Sequence, residues 1–304
     1  MQSYDFCLTW NWEHDSDFIA LLEEACGARG LSIFQITPNN IGRILAPLSN
    51  KEISFTAFLD RASDSDPRFI PVVQWARENA VYQINPHEKA VISSDKSAMH
   101  HALINEGIHT PYTIILPPYK EQAVLEPVDL SPLGDSFTVK PAHGGGGEGV
   151  YTEVTSLEQV FTARKKYPDD KWLLQAHIVP VNFGTRPAWY RVIYCAGEIF
   201  PCWWDTGTFF YKPVTAEEEN GYRLSPLKEI TATIARLTRL ELFSTEIALT
   251  AQNNFVSVDY VNDQIDLRLQ SKTPDGVPDY IVKGIAWSLA SLVAEHRSLP
   301  GTSL

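Results

Sequence analysis

Residues 137–154 read Phe-Thr-Val-Lys-Pro-Ala-His-Gly-Gly-Gly-Gly-Glu-Gly-Val-Tyr-Thr-Glu-Val, and they constrain the fold more tightly than any other stretch of the chain. Five glycines in six residues (Gly144, Gly145, Gly146, Gly147 and Gly149) separate two runs of strand character, Phe137 to Val139 and Val150 to Val154. A plain hairpin turn needs fewer, and each extra glycine costs ordering entropy. Glycines let backbone N–H groups approach a polyphosphate without Cβ clashes, and Lys140, at the end of an apolar strand, adds a point charge. Gly144, Gly146 and Gly149 satisfy G-x-G-x-x-G, yet the dinucleotide fingerprint needs a helix next, and Val150 to Val154 is strand-like. The absence of G-K-[ST] sets the P-loop aside. The spacing predicts a strand–glycine loop–strand flap over nucleotide phosphates; the plainer alternative is a flexible turn.

The pattern around this flap is α/β. Tyr4 to Trp10, Leu31 to Thr37, Ile53 to Leu59 and Val81 to Ile84 read as strands, with helices over 15–28 and 71–79. This predicts a small parallel α/β domain over 1–90. A helix opening at Ser93-Ser-Asp95-Lys96 leads into a second unit, 91–172, which holds the flap and a helix from Ser156. A third unit, 173–304, follows. Trp172 to Ile178 is a strand, and Trp189 to Tyr194 pairs with Glu198 to Trp204. A helix runs from Ser225 to Leu240, a strand pair covers 243–250 and 254–261, and a last helix spans 279–296. The tail, 299–304, is expected to fray.

A net charge of −12, with no basic run, argues against nucleic-acid binding. The first residues carry no basic segment leading into an apolar one, and no run of 18 apolar residues occurs. Cys7, Cys26, Cys195 and Cys202 lack CxxC spacing and read as reduced, packed thiols. The expectation is a cytoplasmic protein without a membrane span.

Glu246 and Asp259 each interrupt an apolar strand. If those strands pair as a hairpin, the two acids project side by side and repel, and a divalent cation would relieve them. The alternative is that each pairs with Arg or Lys or faces solvent. Arg191, mid-strand, suits a transferring phosphoryl group or a substrate carboxylate; otherwise it is a surface ion pair. Lys96 sits in a helical first turn, where the macrodipole disfavours a cation, and so hints at a phosphate. Asp266, Arg268 and Gln270 alternate along a presumed strand face and are candidates for the substrate floor, although such a row is usually solvated. His143 adjoins the glycine loop. His100 and His101 receive no role, and Trp189, Trp203 and Trp204 read as core or rim aromatics, with a substrate wall as the lesser reading.

The order Asp95-Lys96, Lys140 with its glycine loop, Gln175, Arg191, Glu246, Asp259 and Asn262 resembles the ATP-grasp superfamily, of the carboxylate–amine ligase type. The resemblance spans roughly residues 85–270. It implies two α+β lobes that clamp ATP behind the N-terminal domain. On that basis Lys96 and Lys140 contact the phosphates, and the flap from His143 to Gly149 closes on ATP. The strand around Gln175, His177 and Ile178 is the hinge that reads adenine. Arg191 lies near the γ-phosphate. Glu246 and Asp259 bind Mg²⁺ (or Mn²⁺), with Asn262 the asparagine that follows them. The substrates would be a carboxylate and an amine, such as an amino acid, and a homodimer fits the relatives.

The chain departs from the family pattern in three places. Two residues, not one, separate Asp259 from Asn262, so either a bulge displaces Asn262 or it is not a ligand. The ribose-binding acid after the hinge is missing, leaving Asn182. Trp189-Tyr190 replaces the acid near the arginine. The expected activity is an ATP-dependent ligase acting through an acyl phosphate. A small-molecule kinase and a catalytically degenerate nucleotide-binding protein are the alternatives.

Overall fold

The computed structural model describes residues 2–298, and the expected fraying of 299–304 lies outside them. The chain begins with β1 (Gln2–Trp10), α1 (Ser16–Gly27), β2 (Ile33–Ile36), α2 (Ile41–Ser49), β3 (Ile53–Arg61), α3 (Ile70–Glu78) and β4 (Tyr82–Ile84). Its four strands form a parallel sheet in the order β2-β1-β3-β4. Phe6, Cys7, Leu8 and Thr9 of β1 are all buried, as expected for an inner parallel strand covered on both faces. The chain steps from β1 to β2 on one side and then to β3 on the other. Such a reversal leaves a crevice beyond the carboxyl ends of the strands, where ligands of open α/β sheets bind.

Next come α4 (His87–Ser94) and α5 (Lys96–Asn105). Asp95 caps α5, accepting from the N–H groups of Ser97 (2.8 Å) and Ala98 (3.1 Å). A second sheet is built from β5 (Thr113–Leu116), β6 (Phe137–Pro141), β7 (Tyr151–Val154) and β8 (Trp172–Ala176). It is antiparallel, in the order β5-β8-β6-β7. The helix α6 (Leu157–Lys166) covers one face, with Val160 and Ala163 packed against Phe137, Val139 and Trp172.

A short hairpin, β9 (Asn182–Phe183) and β10 (Arg186–Pro187), opens the last part of the chain. It is followed by β11 (Trp189–Cys195), β12 (Glu198–Asp205), β13 (Phe210–Pro213), α7 (Ala216–Gly221), α8 (Ser225–Thr238), β14 (Leu242–Leu249), β15 (Phe255–Asn262) and α9 (Asp279–Ser298). The five longer strands form an antiparallel sheet, β13-β12-β11-β14-β15. Ile281, Val282, Ile285, Leu289 and Val293 line the buried side of α9. They join Phe6, Leu8 and Leu22 of the first sheet's layer to Ile193, Cys195 and Leu242 of the third in one core. This is the mixed α/β architecture expected from the sequence.

Several details differ from the sequence reading. Residues 265–270 do not form a strand; they are irregular, with one bridge between Leu269 and Val277, so alternation does not put Asp266, Arg268 and Gln270 on a common strand face. β8 stops at Ala176 rather than Ile178. α2, α4, α7, β5 and β13 were not anticipated. Pro47 lies inside α2, prolines flank β5, and β13 ends on Pro213, and proline disfavours helix and strand interiors. The boundaries expected after 90 and 172 fall inside α4 and β8. We propose that the units meet after Asn85 and after Ala176, because β8 pairs with both β5 and β6. No helix among the described residues is long and apolar enough to cross a membrane. All four cysteines are buried and unpaired, and burial pushes Cys26 up to about 11 and Cys202 up to about 12.

Candidate active site

Strand register brings the central residues together. Arg191 on β11 lies opposite Glu246 on β14, and Glu246 lies opposite Asp259 on β15. Directly opposite residues share a face, so these three side chains form a row across the sheet. The pairing then shifts: one residue of β14 (Thr245) separates Glu246 from Ser244, whereas two of β15 (Tyr260 and Val261) separate Asp259 from Asn262. This bulge brings Asn262 opposite Ser244 and back to the face of Asp259. The two-residue gap that set the sequence apart from the pattern it resembles is thus accommodated by the backbone.

Around this row opens a cleft of about 1020 Å³. The large sheet supplies Arg191, Glu246, Asp259 and Asn262, the glycine loop supplies Gly144 to Glu148, and Lys96 projects from α5. The first sheet contributes Asp60, Ser63 and Asp64, at the carboxyl end of β3, where the strand reversal leaves its crevice. The glycine loop is tied down at three points. Lys96 Nζ donates to the carbonyl of Gly144 (2.5 Å), the N–H of His143 donates to Asp170 (2.9 Å), and the Tyr167 hydroxyl donates to Glu148 (2.8 Å). Gly149 has φ +72°, and a Cβ there would come within 3.0 Å of Tyr167 and 3.1 Å of Pro141, so only glycine fits without strain.

Lys140 is only 7% exposed. It reaches from the second sheet to the third, donating to the Val258 carbonyl at 3.2 Å. Burial holds its ammonium below the ordinary lysine value, an effect that nearby Asp259 opposes. Burial raises the Glu246 carboxyl; Arg191 counters this and the like charge of Asp259 adds to it. Glu246 has real partners nonetheless: Trp189 Nε1 donates to it at 3.1 Å, and Arg191 Nη1 lies 3.8 Å away. Burial works against the Arg191 charge too, but Tyr211, Glu246 and Asp259 around it hold its guanidinium above the ordinary value. Among the described residues, no three acids, histidines or cysteines gather closely enough to hold a metal unaided. Two adjacent carboxylates with an amide nearby suit an ion such as Mg²⁺, which keeps positions for phosphate oxygens.

Not every residue singled out in the sequence faces the cleft. Asp266 and Arg268 line it, but Arg268 is held by Asp266 (2.8 Å) and Asp275 (2.8 Å). Gln270 turns away and donates to the Tyr211 carbonyl. His143 faces Asp170, with Nδ1 2.9 Å from its carboxylate. The Gln175 side chain is buried and donates to the Tyr260 hydroxyl at 2.9 Å. That hydroxyl also lies 2.7 Å from His100 Nδ1, and burial pushes His100 down to about 4. Gln175 thus links the second sheet to the third. His177 and Ile178 occupy the irregular segment just beyond β8. Sequence reasoning missed Asp60, Asp64, Asp263 and Tyr211, all of which line the cleft, and gave Trp204, which also lines it, a place in a substrate wall only as its lesser reading. A signal existed for Asp60 and Asp64, which stand where a parallel strand ends.

No protein-family model matches the chain, and no curated protein matches it in sequence. Solved structures do match. An ATP-grasp RimK domain protein from Sphaerobacter thermophilus superimposes with a TM-score of 0.63 at 19% identity, over 94% of this chain and 98% of that one. The ATP-grasp ligase PsnB, complexed with its precursor peptide PsnA2 and AMPPNP, gives 0.61 at 12% identity, over 97% and 98%. D-alanine–D-alanine ligase from Bacillus anthracis, complexed with ATP, gives 0.61 at 15% identity, over 97% of each chain. Over nearly its whole length, the chain has the ATP-grasp fold.

Proposed function

We propose that the chain is a Mg²⁺- and ATP-dependent ligase joining a carboxylate to an amine. The observation that carries this reading is the register pairing of Glu246 with Asp259, beside Arg191 and facing a glycine loop anchored on Lys96. The neighbouring structures support it, since D-alanine–D-alanine ligase was solved with ATP and PsnB with Mg and ADP. Lys96, Lys140 and the N–H groups of the glycine loop would hold the phosphates, and residues 177–178 would meet the adenine. Glu246, Asp259 and Asn262 would hold Mg²⁺ (or Mn²⁺), which supplies charge neutralisation at the phosphate oxygens.

The chemistry asks this chain mainly to position and neutralise charge. Arg191 orients the substrate carboxylate. One carboxylate oxygen bonds to the γ-phosphorus as the bond between that phosphorus and the β,γ-bridging oxygen breaks, giving an acyl phosphate and ADP. The amine nitrogen then bonds to the acyl carbon as the acyl C–O bond breaks. Phosphate leaves, and the amine gives up one proton to phosphate or solvent. The closed glycine loop excludes water that would hydrolyse the acyl phosphate. The acidic wall formed by Asp60, Asp64 and Asp263 complements an ammonium, which favours an amino acid or peptide as a reactant.

The test is a thermal shift with Mg·ATP for the wild type and Lys140→Ala, followed by a screen for phosphate release. Ligand at 100 times its dissociation constant adds about 2.7 kcal/mol. With about 2.1 cal/mol/K of unfolding entropy per residue, that raises Tm by about 4 °C. A rise in the wild type that Lys140→Ala removes supports the reading. No rise in a cooperatively melting wild type refutes it, and phosphate kept on the product instead of released would indicate a kinase.

A further inference from the structure

A second pocket of about 370 Å³ opens beside the cleft, and Trp204 lines both. Four aromatic side chains, Trp189, Trp203, Trp204 and Phe210, line it together with Arg186, Asp205 and Lys212. The charged residues among them have partners of their own. Arg186 lies 3.1 Å from Glu218 and 4.8 Å over the Trp203 ring, and Lys212 lies 3.6 Å from the same carboxylate. Asp205 is turned to the backbone N–H groups of Gly207 (2.9 Å) and Thr208 (3.2 Å). A near-neutral pocket walled by indoles suits an uncharged aromatic ring, not an anion. Its volume exceeds the ~150 Å³ of a cavity that accommodates benzene and falls near the lower end, roughly 300 Å³, of small-molecule sites.

The pocket abuts the reactive row. Trp189 lies two residues from Arg191 on β11, so the two side chains share a face, and its indole N–H donates to Glu246. Trp204 lies under the Arg191 guanidinium, 4.9 Å from it. The β12–β13 turn adds a third observation. Phe209 and Phe210 are 57% and 44% exposed, and Phe209 has φ +58°. A bulky side chain in the left-handed region is strained, and such strain concentrates at ligand sites. Here it accompanies the placement of two consecutive aromatics in different cavities: Phe209 lines the cleft and Phe210 the side pocket.

We infer that this side pocket selects the substrate, taking the aromatic ring of a carboxylic acid whose carboxylate lies at Arg191. The inference rests on the ligase reading and narrows it to aryl-bearing acids of the amino-acid class. The experiment is calorimetric titration, with Mg²⁺ and AMPPNP present, of phenylalanine against alanine and of 3-phenylpropionate against propionate. The wild type binds each aryl acid roughly tenfold or more tightly than its alkyl counterpart. Thr206→Trp, which fills the pocket from an exposed turn, erases that preference while keeping the Mg·ATP thermal shift. Phe210→Ala, which removes one wall, weakens the preference. Equal binding of aryl and alkyl acids, no detectable aryl binding, or a preference that survives Thr206→Trp overturns the inference. A wild type with no Mg·ATP shift refutes the ligase reading instead, so the two failures are distinguishable.

Discussion

Arg61 and Asp15 form an ion pair whose loss should be large. Their side chains are 5% and 1% exposed. Arg61 donates to Asp15 through Nε at 2.9 Å and Nη2 at 2.6 Å, and Nη2 also reaches the Ile265 carbonyl at 3.0 Å. The pair thereby fastens the end of β3 to the loop that carries Asp266 and Arg268 into the cleft. Asp15→Asn keeps the shape but strands the guanidinium charge. Breaking a buried pair from one side costs about 3–5 kcal/mol. The amide oxygen still accepts one N–H, so the lower end, about 3 kcal/mol, is expected. With 304 residues unfolding together at about 2.1 cal/mol/K each, Tm falls by about 5 °C. Asp15→Leu combined with Arg61→Met removes both charges and should recover most of the loss, because apolar replacement of a buried pair is often neutral. Calorimetry and guanidinium melts of the wild type, Asp15→Asn, Asp15→Leu, Arg61→Met and the double variant decide it. A change below about 1 kcal/mol for Asp15→Asn, or a double variant worse than either single one, would refute the argument that burial of the charge sets the cost.

Two further outcomes follow from the site itself. Glu246 has a folded-state value raised above its ordinary 4.5, so the stability it contributes is full below that pH and is lost as pH rises through the raised value. In EDTA, Glu246→Gln should therefore gain on the wild type in denaturant midpoint from pH 4.5 upward, and added Mg²⁺ should stabilise only the wild type; a variant weaker at every pH would mean that Arg191, left without its partner, dominates. Gly149→Ala should cost about 1–2 kcal/mol for its left-handed backbone, plus whatever Tyr167 and Pro141 must yield, whereas Gly145→Ala, in open space without positive φ, should change the midpoint little.

Much of this protein was legible from local chemistry. The strand–glycine–strand pattern around Lys140, the cap at Asp95 and the acids in otherwise apolar strands are encoded in neighbouring residues, and period and turn chemistry act at that range. Elements hidden by proline were not legible. Pro47 sits within α2, and β5 lies between prolines, because short edge strands and tertiary packing tolerate what local propensity disfavours. The row over 265–270 misled for the opposite reason: an alternating pattern needs a neighbouring strand to become a strand, and among the described residues it meets only the single bridge to Val277.

The sequence by itself determined the α/β class, the flap and the residue types that could meet phosphate and metal. Tertiary structure alone decided which of them meet. Whether Asn262 joins Glu246 and Asp259 depends on a bulge, which strand pairing imposes across the sheet. Whether Gln175 faces a ligand or the Tyr260 hydroxyl depends on how two sheets stack. Asp60 and Asp64 come from a part of the chain nearly two hundred residues away from Glu246 and Asp259, and α9, buried between the first and third layers, holds them at the same cleft. A one-residue shift in register sends a side chain to the other face of a sheet, and no local pattern in the chain records such a shift.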